Sequence, residues 1–206
     1  MKQIPLIVAL VLAVAACNLS DRFKKSGSSN SPSSSNGPRM IGGEAVEQPS
    51  PTAAEEAALA NGQSIKWDQQ GISWKLPANW KKEDVRNESL SYGGDGAFLS
   101  VNISTMDSSF PTDISIKAMH ESAKMSEKNG KYDELKWLEL DGLRGVEFRE
   151  SKPERPDDIR RLEWQAYRTY AGQTQLVAII LSSSGANFPK HQDELYAILY
   201  STKLVH

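Results

Sequence analysis

At 206 residues, with 24 Lys and Arg against 26 Asp and Glu and a single cysteine, the chain has room for one globular domain and some added sequence. One thiol closes no intramolecular disulfide and supplies no Cys-rich zinc site, and a formal charge of −2 gives no electrostatic ground for a nucleic-acid partner. The 39% apolar content is that of a foldable chain diluted by a polar segment, so the segment has to be found first.

Residues 1–16 read as a signal. Lys2 supplies a short positive region, Ile4 to Ala16 form an apolar run, and Val14-Ala15-Ala16 place small residues directly before Cys17. This ending resembles the lipobox of bacterial lipoproteins, and the resemblance implies cleavage before Cys17, acylation of its thiol and a membrane partner held through the lipid. The run is too short for a membrane-spanning helix of about 20 residues, whereas two or three acyl chains anchor firmly. An ordinary secretory signal with an incidental Cys17 is the alternative. By resemblance to enterobacterial lipoproteins, Asn18 in place of Asp after the cysteine favours the outer membrane or cell surface over the inner membrane.

Residues 17–63 read as anchor and tether. Ser26 to Pro38 are drawn only from Ser, Gly, Asn and Pro, which bury too little to offset their ordering entropy. A coil of the 46 residues from Asn18 to Gln63 reaches roughly 35 to 40 Å. Within it, Thr52 and Glu55 have the form of a capping box ahead of the helix formers at 53–60, with Asn61-Gly62 as a stop. Two to three turns with an almost all-alanine apolar face predict a fraying helix with little to dock.

The folded domain is expected over 64–206, which holds all five tryptophans. Ile65 to Trp67 and Ile72 to Leu76 alternate across a short turn. Ser89 to Tyr92 and Ala97 to Met106 flank Gly93-Gly94-Asp95-Gly96, and Leu135 to Leu140 and Leu143 to Arg149 flank Asp141-Gly142, a strong type I′ hairpin signal. Thr112 or Asp113 opens a helix that stops at Asn129-Gly130. Ile159 to Tyr170 alternates, and after Ala171-Gly172 the unbroken apolar run Leu176 to Leu181 predicts a central strand covered on both faces. A last helix starts at Asn187, with Pro189 in its first turn.

The strand ending Ile72-Ser73-Trp74-Lys75-Leu76-Pro77, the following Ala78-Asn79-Trp80 corner, the amphipathic helix, the hairpin at Gly142 and Gly145, the Trp-bearing strand and the closing helix Ile198-Leu199-Tyr200 together resemble the PsbP-like domain. That family includes the photosystem protein PsbP, a Ran-binding protein of the Mog type and bacterial envelope lipoproteins. The resemblance implies an α/β/α sandwich on a largely antiparallel sheet of about 6 to 8 strands, and an accessory, protein-binding role. It carries over no site residue.

A search for chemistry returns little. His120 has Lys117, Glu121 and Lys124 as helix neighbours and His191 has Asp193 and Glu194, so neither builds a ligand set. No nucleophile elbow or phosphate loop is present. The reading is therefore of a protein without catalytic residues, metal or cofactor. Two candidate contact features stand out. The segment Arg149 to Arg161 carries nine charged residues in thirteen, so Arg149, Lys152, Arg155, Arg160 and Arg161 are candidate interaction residues on a projecting loop, with a solvated crossover as the plain alternative. Trp67 and Trp80 are candidate anchors or, alternatively, core plugs. The functional expectation is a lipid-anchored envelope module that binds a protein partner. The alternative is a carrier or sensor of a small apolar ligand or metabolite, using a cavity between sheet and helix lined by Met119, Trp164 and Ile180.

Overall fold

The structure, a computed structural model, describes Met40–Ile41 and Gly43–Val205. The signal read at 1–16, Cys17 and the tether before Met40 lie outside the described residues.

Twelve strands and three helices follow in the described residues: β1 (Met40–Ile41), β2 (Glu44–Glu47), α1 (Ala53–Ala58), β3 (Gln63–Trp67), β4 (Ile72–Leu76), β5 (Lys81–Val85), β6 (Ser89–Gly94), β7 (Ala97–Met106), α2 (Thr112–Lys128), β8 (Tyr132–Leu140), β9 (Leu143–Glu150), β10 (Ile159–Tyr170), β11 (Gln173–Ser184), α3 (Phe188–Tyr200) and β12 (Lys203–Leu204). The large sheet runs β1-β2-β8-β9-β10-β11-β7-β6-β5, and a small sheet runs β12-β4-β3. Eight strands of the large sheet have four residues or more, matching the expected size, and its architecture is the expected α/β/α sandwich on a mostly antiparallel sheet.

The hairpins follow from their turns. Asp141 and Gly142 both take positive φ (48° and 85°), as do Ala171 and Gly172 (50° and 77°), which is the backbone a two-residue turn needs to match strand twist. These turns set register. Leu140 faces Leu143, so Leu138 faces Gly145, Lys136 faces Glu147 and Glu134 faces Arg149.

Side-chain alternation divides the sheet into two faces. On the inner one, Leu138, Leu162, Trp164, Val177, Ile179 and Leu181 pack with Leu99 and Val101, the small sheet's Ile72, Trp74 and Leu76, and α3's Leu195, Ile198 and Leu199. Gly145 makes room for Trp164: a Cβ there would lie 2.5 Å from the indole Cε2, and the indole N–H donates to the Leu138 carbonyl at 3.0 Å. On the outer face a smaller cluster of Val46, Trp137, Val146 and Phe148 packs under Ile116 of α2.

Three expectations change. The folded region begins well before Ser64. Val46 is buried against α2's side of the sheet, and the helix at 53–58 is docked, because Leu59 just beyond it enters the main core. Its capping box is formed, with Glu55 N donating to Thr52 Oγ1 at 3.2 Å and Thr52 N to Glu55 Oε2 at 2.7 Å. β5 also escaped the sequence pattern, since its Lys-Lys-Glu-Asp-Val run is wholly exposed at the sheet edge. Charge and a register shift between Lys82 and Asp84 are how natural edges resist further pairing. Finally, β11 is central but covered on one face only. Helix α2 packs on β8, β9 and part of β10, and Leu176, Ala178 and Ile180 on the same side of β11 remain half-exposed.

Candidate functional site

The structure moves most of the candidate contact residues inward. Trp67 and Trp80 are both 3% exposed and belong to the main core beside Trp74, so they are plugs and not anchors. Arg160 is buried, its Nε donating to the Glu150 carbonyl at 2.7 Å, its Nη2 paired with Asp133 and its guanidinium over the Phe188 ring at 4.6 Å. Arg149 joins Asp133 at 2.7 Å and Glu134 at 2.9 Å, and Arg161 pairs with Glu150 at 3.1 Å. Of the five, Lys152 and Arg155 keep solvent-facing positions, and the Arg161 side chain is also 43% exposed despite its pair. The connecting segment 151–158 folds back: Gly185 N donates to Asp158 O at 2.8 Å and Ala186 N to Pro156 O at 2.9 Å. Exposed charge in the sequence was spent on internal pairing, which a linear reading of composition does not reveal.

Those pairs belong to a larger network beneath α3. Lys136 Nζ lies 2.9 Å from Glu134, 3.2 Å from Glu147 and 3.7 Å from Glu47. Tyr196 donates its hydroxyl to Glu134 at 2.7 Å and accepts from Arg149 Nη1 at 3.1 Å. Glu147 is fully buried, and its Oε2 has no hydrogen-bond partner among the described residues. Burial pushes its carboxyl up to about 7, Lys136 opposing and Glu134 and Glu47 adding to the rise. Burial also opposes ionisation of Glu134, but hydrogen bonds from Lys136 and Tyr196 hold it below the usual range. Burial pushes the Tyr200 hydroxyl up to about 12. The cluster is an ion lattice inside the fold.

A second polar group sits across the sheet, where β2 meets β8. Glu44 pairs with Lys124 and accepts from the Trp137 indole at 3.2 Å, while His120 Nε2 lies 3.3 Å from the same carboxylate oxygen. The His120 ring stacks on Trp137 at 4.4 Å. The Lys124 hydrogen bond holds Glu44 below the usual carboxylate range, and burial depresses His120 despite the carboxylate beside it. Among the described residues, no group of three His, Cys, Asp or Glu side chains could hold a metal ion, and no helix is long and apolar enough to cross a membrane.

The expected ligand cavity does not form from its expected residues. Trp164 points to the inner face among α3 and β4, while Ile180 and Met119 lie on the opposite side of the sheet. Adjacent strand residues alternate faces, so Trp164 and Ile180 cannot line one cavity.

The feature the sequence did not single out is the bare half of the outer face. Across β7 and β11 the register sets Phe98 opposite Ser182, Ser100 opposite Ile180, Asn102 opposite Ala178 and Ser104 opposite Leu176. Phe98 is 37% exposed and lies over Gly93 of β6, where a Cβ would meet its ring at 2.7 Å. The result is a sheet surface in which an aromatic ring and three aliphatic side chains are interleaved with hydroxyl and amide groups.

No family model matches the chain, and no curated protein matches it. Its fold is similar to that of LpqN, a Mycobacterium tuberculosis protein described as involved in cell envelope biogenesis, with a TM-score of 0.50 at 9% identity over 70% of this chain and 86% of that one. Cyanobacterial PsbP from Synechocystis sp. PCC 6803 is similar at 0.46 and 15% identity over 69% and 92%. The Ran-binding protein Mog1p of Saccharomyces cerevisiae follows at 0.40 and 11% over 70% and 96%. Of a Bacteroides thetaiotaomicron protein of similar fold, the chain spans about half the length, 49%.

Proposed function

We propose that the protein is a non-catalytic accessory module of the bacterial cell envelope, anchored by a lipid on Cys17, and that it binds a protein partner through the bare outer face of β7 and β11. The observation that carries this reading is the face itself. The inner face of the same strands is closed, with Leu99, Val101, Val177, Ile179 and Leu181 at or near zero exposure, while on the other Phe98 is exposed and Leu176, Ala178 and Ile180 are half-buried. Apolar groups set among polar ones on paired strands suit a protein contact, which needs desolvated anchors within a polar rim. A role at the envelope is supported by the lipobox-like ending at Cys17 and by the description of LpqN.

Two measurements test the two halves. Replacing Cys17 with Ser should abolish acyl labelling and release the protein from membranes. Replacing Ile180 with Asp should abolish partner recovery while the acylated protein stays in the membrane fraction. Retained labelling in C17S removes the anchor, and undiminished partner recovery in I180D removes the face.

A further inference from the structure

The segment that joins the fold from its N-terminal side is attached unlike every other strand. Among the described residues β2 makes the only parallel pairing, two residues long, with Val46 opposite Trp137 and Glu47 opposite Leu138. Its neighbour in sequence, β1, pairs only with β2 itself. On its other side, residues 48–52 have no regular structure and include Pro49 and Pro51. Few main-chain bonds hold β2, so its side chains must do the rest.

They do so at three places. The Glu44 carboxylate meets Lys124, His120 and the Trp137 indole N–H. Val46, 4% exposed, is the single strap side chain in the cluster of Ile116, Trp137, Val146 and Phe148. Glu47 reaches Lys136 at 3.7 Å. A cavity of about 350 Å³ lies alongside, lined by Glu44, Ala45, His120, Lys124, Glu127 and Lys136 among others, so the strap does not fill the space beside it.

We infer that β2, Glu44–Glu47, is a releasable strap over a strand-binding groove on the outer edge of β8, and that the groove's ligand in trans is an acidic extended segment of a partner protein. The groove reads what β2 presents: a carboxylate for Lys124 and the Trp137 N–H, and an aliphatic side chain two residues later for the apolar hole. With the strap lifted, the β8 edge offers unpaired N–H and C=O groups, and strand addition supplies their partners while the side-chain pockets select the sequence. Lys124, whose close partner is the strap's Glu44, favours an acidic side chain at that position and disfavours a basic one. This groove is separate from the bare face of β7 and β11, and either assignment stands or falls without the other.

Hydrogen exchange on the full chain is the test. Amides of β2 and of Leu135 to Leu138 should exchange through local opening, faster than those of β9 to β11, and Glu44→Gln should speed the first set by about tenfold and leave the second unchanged. Lys124→Met should have the same effect with the strap sequence intact, which guards against an E44Q chain that folds poorly. In the E44Q chain, a synthetic peptide spanning Met40 to Ser50 should restore protection to Leu135 to Leu138, and the same peptide with Gln at the place of Glu44 should not. Exchange of β2 only with the whole core, or no protection by the native-sequence peptide, overturns the inference. A concentration-dependent dimer of the unaltered chain with straps exchanged would put a second copy in the groove and overturn it equally.

Discussion

Lys136 and Glu147 face each other across the β8-β9 hairpin, 3.2 Å apart, and the carboxylate of this pair is wholly buried beneath the last helix. One ammonium serves three carboxylates there, so the site carries more acid than its lysine can neutralise. Burial then favours the protonated form of Glu147 up to about pH 7.

The sign of the pH effect follows. The native state holds a proton on Glu147 that the unfolded state has released above about pH 4.5, so this group's contribution to stability is greatest below that value and declines as pH rises through about 7. Across this window the loss is on the order of 3 kcal/mol. Glu147→Gln should remove that slope and be more stable than the parent at pH 8, with the two chains nearly matched at pH 4.5. Urea unfolding at the two pH values measures the difference.

Gly145 sits under the Trp164 indole, and its substitution is a packing test. Gly145→Ala should cost about 1 to 3 kcal/mol, since both the ring and the Gln165 carbonyl, 2.6 Å from the added Cβ, resist displacement. A thermal melt within one degree of the parent would show that the strands part easily here.

The short helix α1 should prove part of the fold. Thr52→Ala removes the cap for about 1 kcal/mol and Leu59→Ala opens a cavity for about 2 to 4 kcal/mol. Equilibrium unfolding followed by tryptophan fluorescence reports both, and no loss in either variant would return 53–58 to the tether.

Much of this fold was legible from turns. Asp141-Gly142 sets a register in which 134, 136 and 138 face 149, 147 and 145, so the Lys136 and Glu147 pair and the Gly145 gap could be counted off the sequence once the hairpin was accepted. Both long helices were marked by their stops and by Pro189. What stayed hidden depends on contacts between distant segments. Nothing near Val46 or Leu59 says that a sheet edge and a helix will cover them, and Arg149 and Arg160 look free until Asp133 is brought alongside. The unbroken apolar run at β11 suggested two covered faces; the structure closes one and leaves Leu176, Ala178 and Ile180 half-buried on the other, beyond the strands that α2 packs on.

Neighbouring positions on β11 separate stability from binding. Ile179→Ala should cost about 2 to 5 kcal/mol, because its side chain is fully buried in the main core. Ile180→Asp, one residue on and on the opposite face, should cost less, about 1 kcal/mol, since its side chain is half-buried on a central strand opposite Glu163, and should act chiefly on partner capture. Melts of both variants beside a capture assay give the comparison.

The central claim is that the bare face of β7 and β11 meets a protein at the envelope, and site-specific photo-crosslinking in intact cells tests it most directly. A photoreactive residue at the position of Phe98 or Ile180 should yield a discrete higher-mass adduct, and the same residue at Met125, exposed on α2, should not. Adducts at Met125 and none at Phe98 or Ile180 would contradict the account.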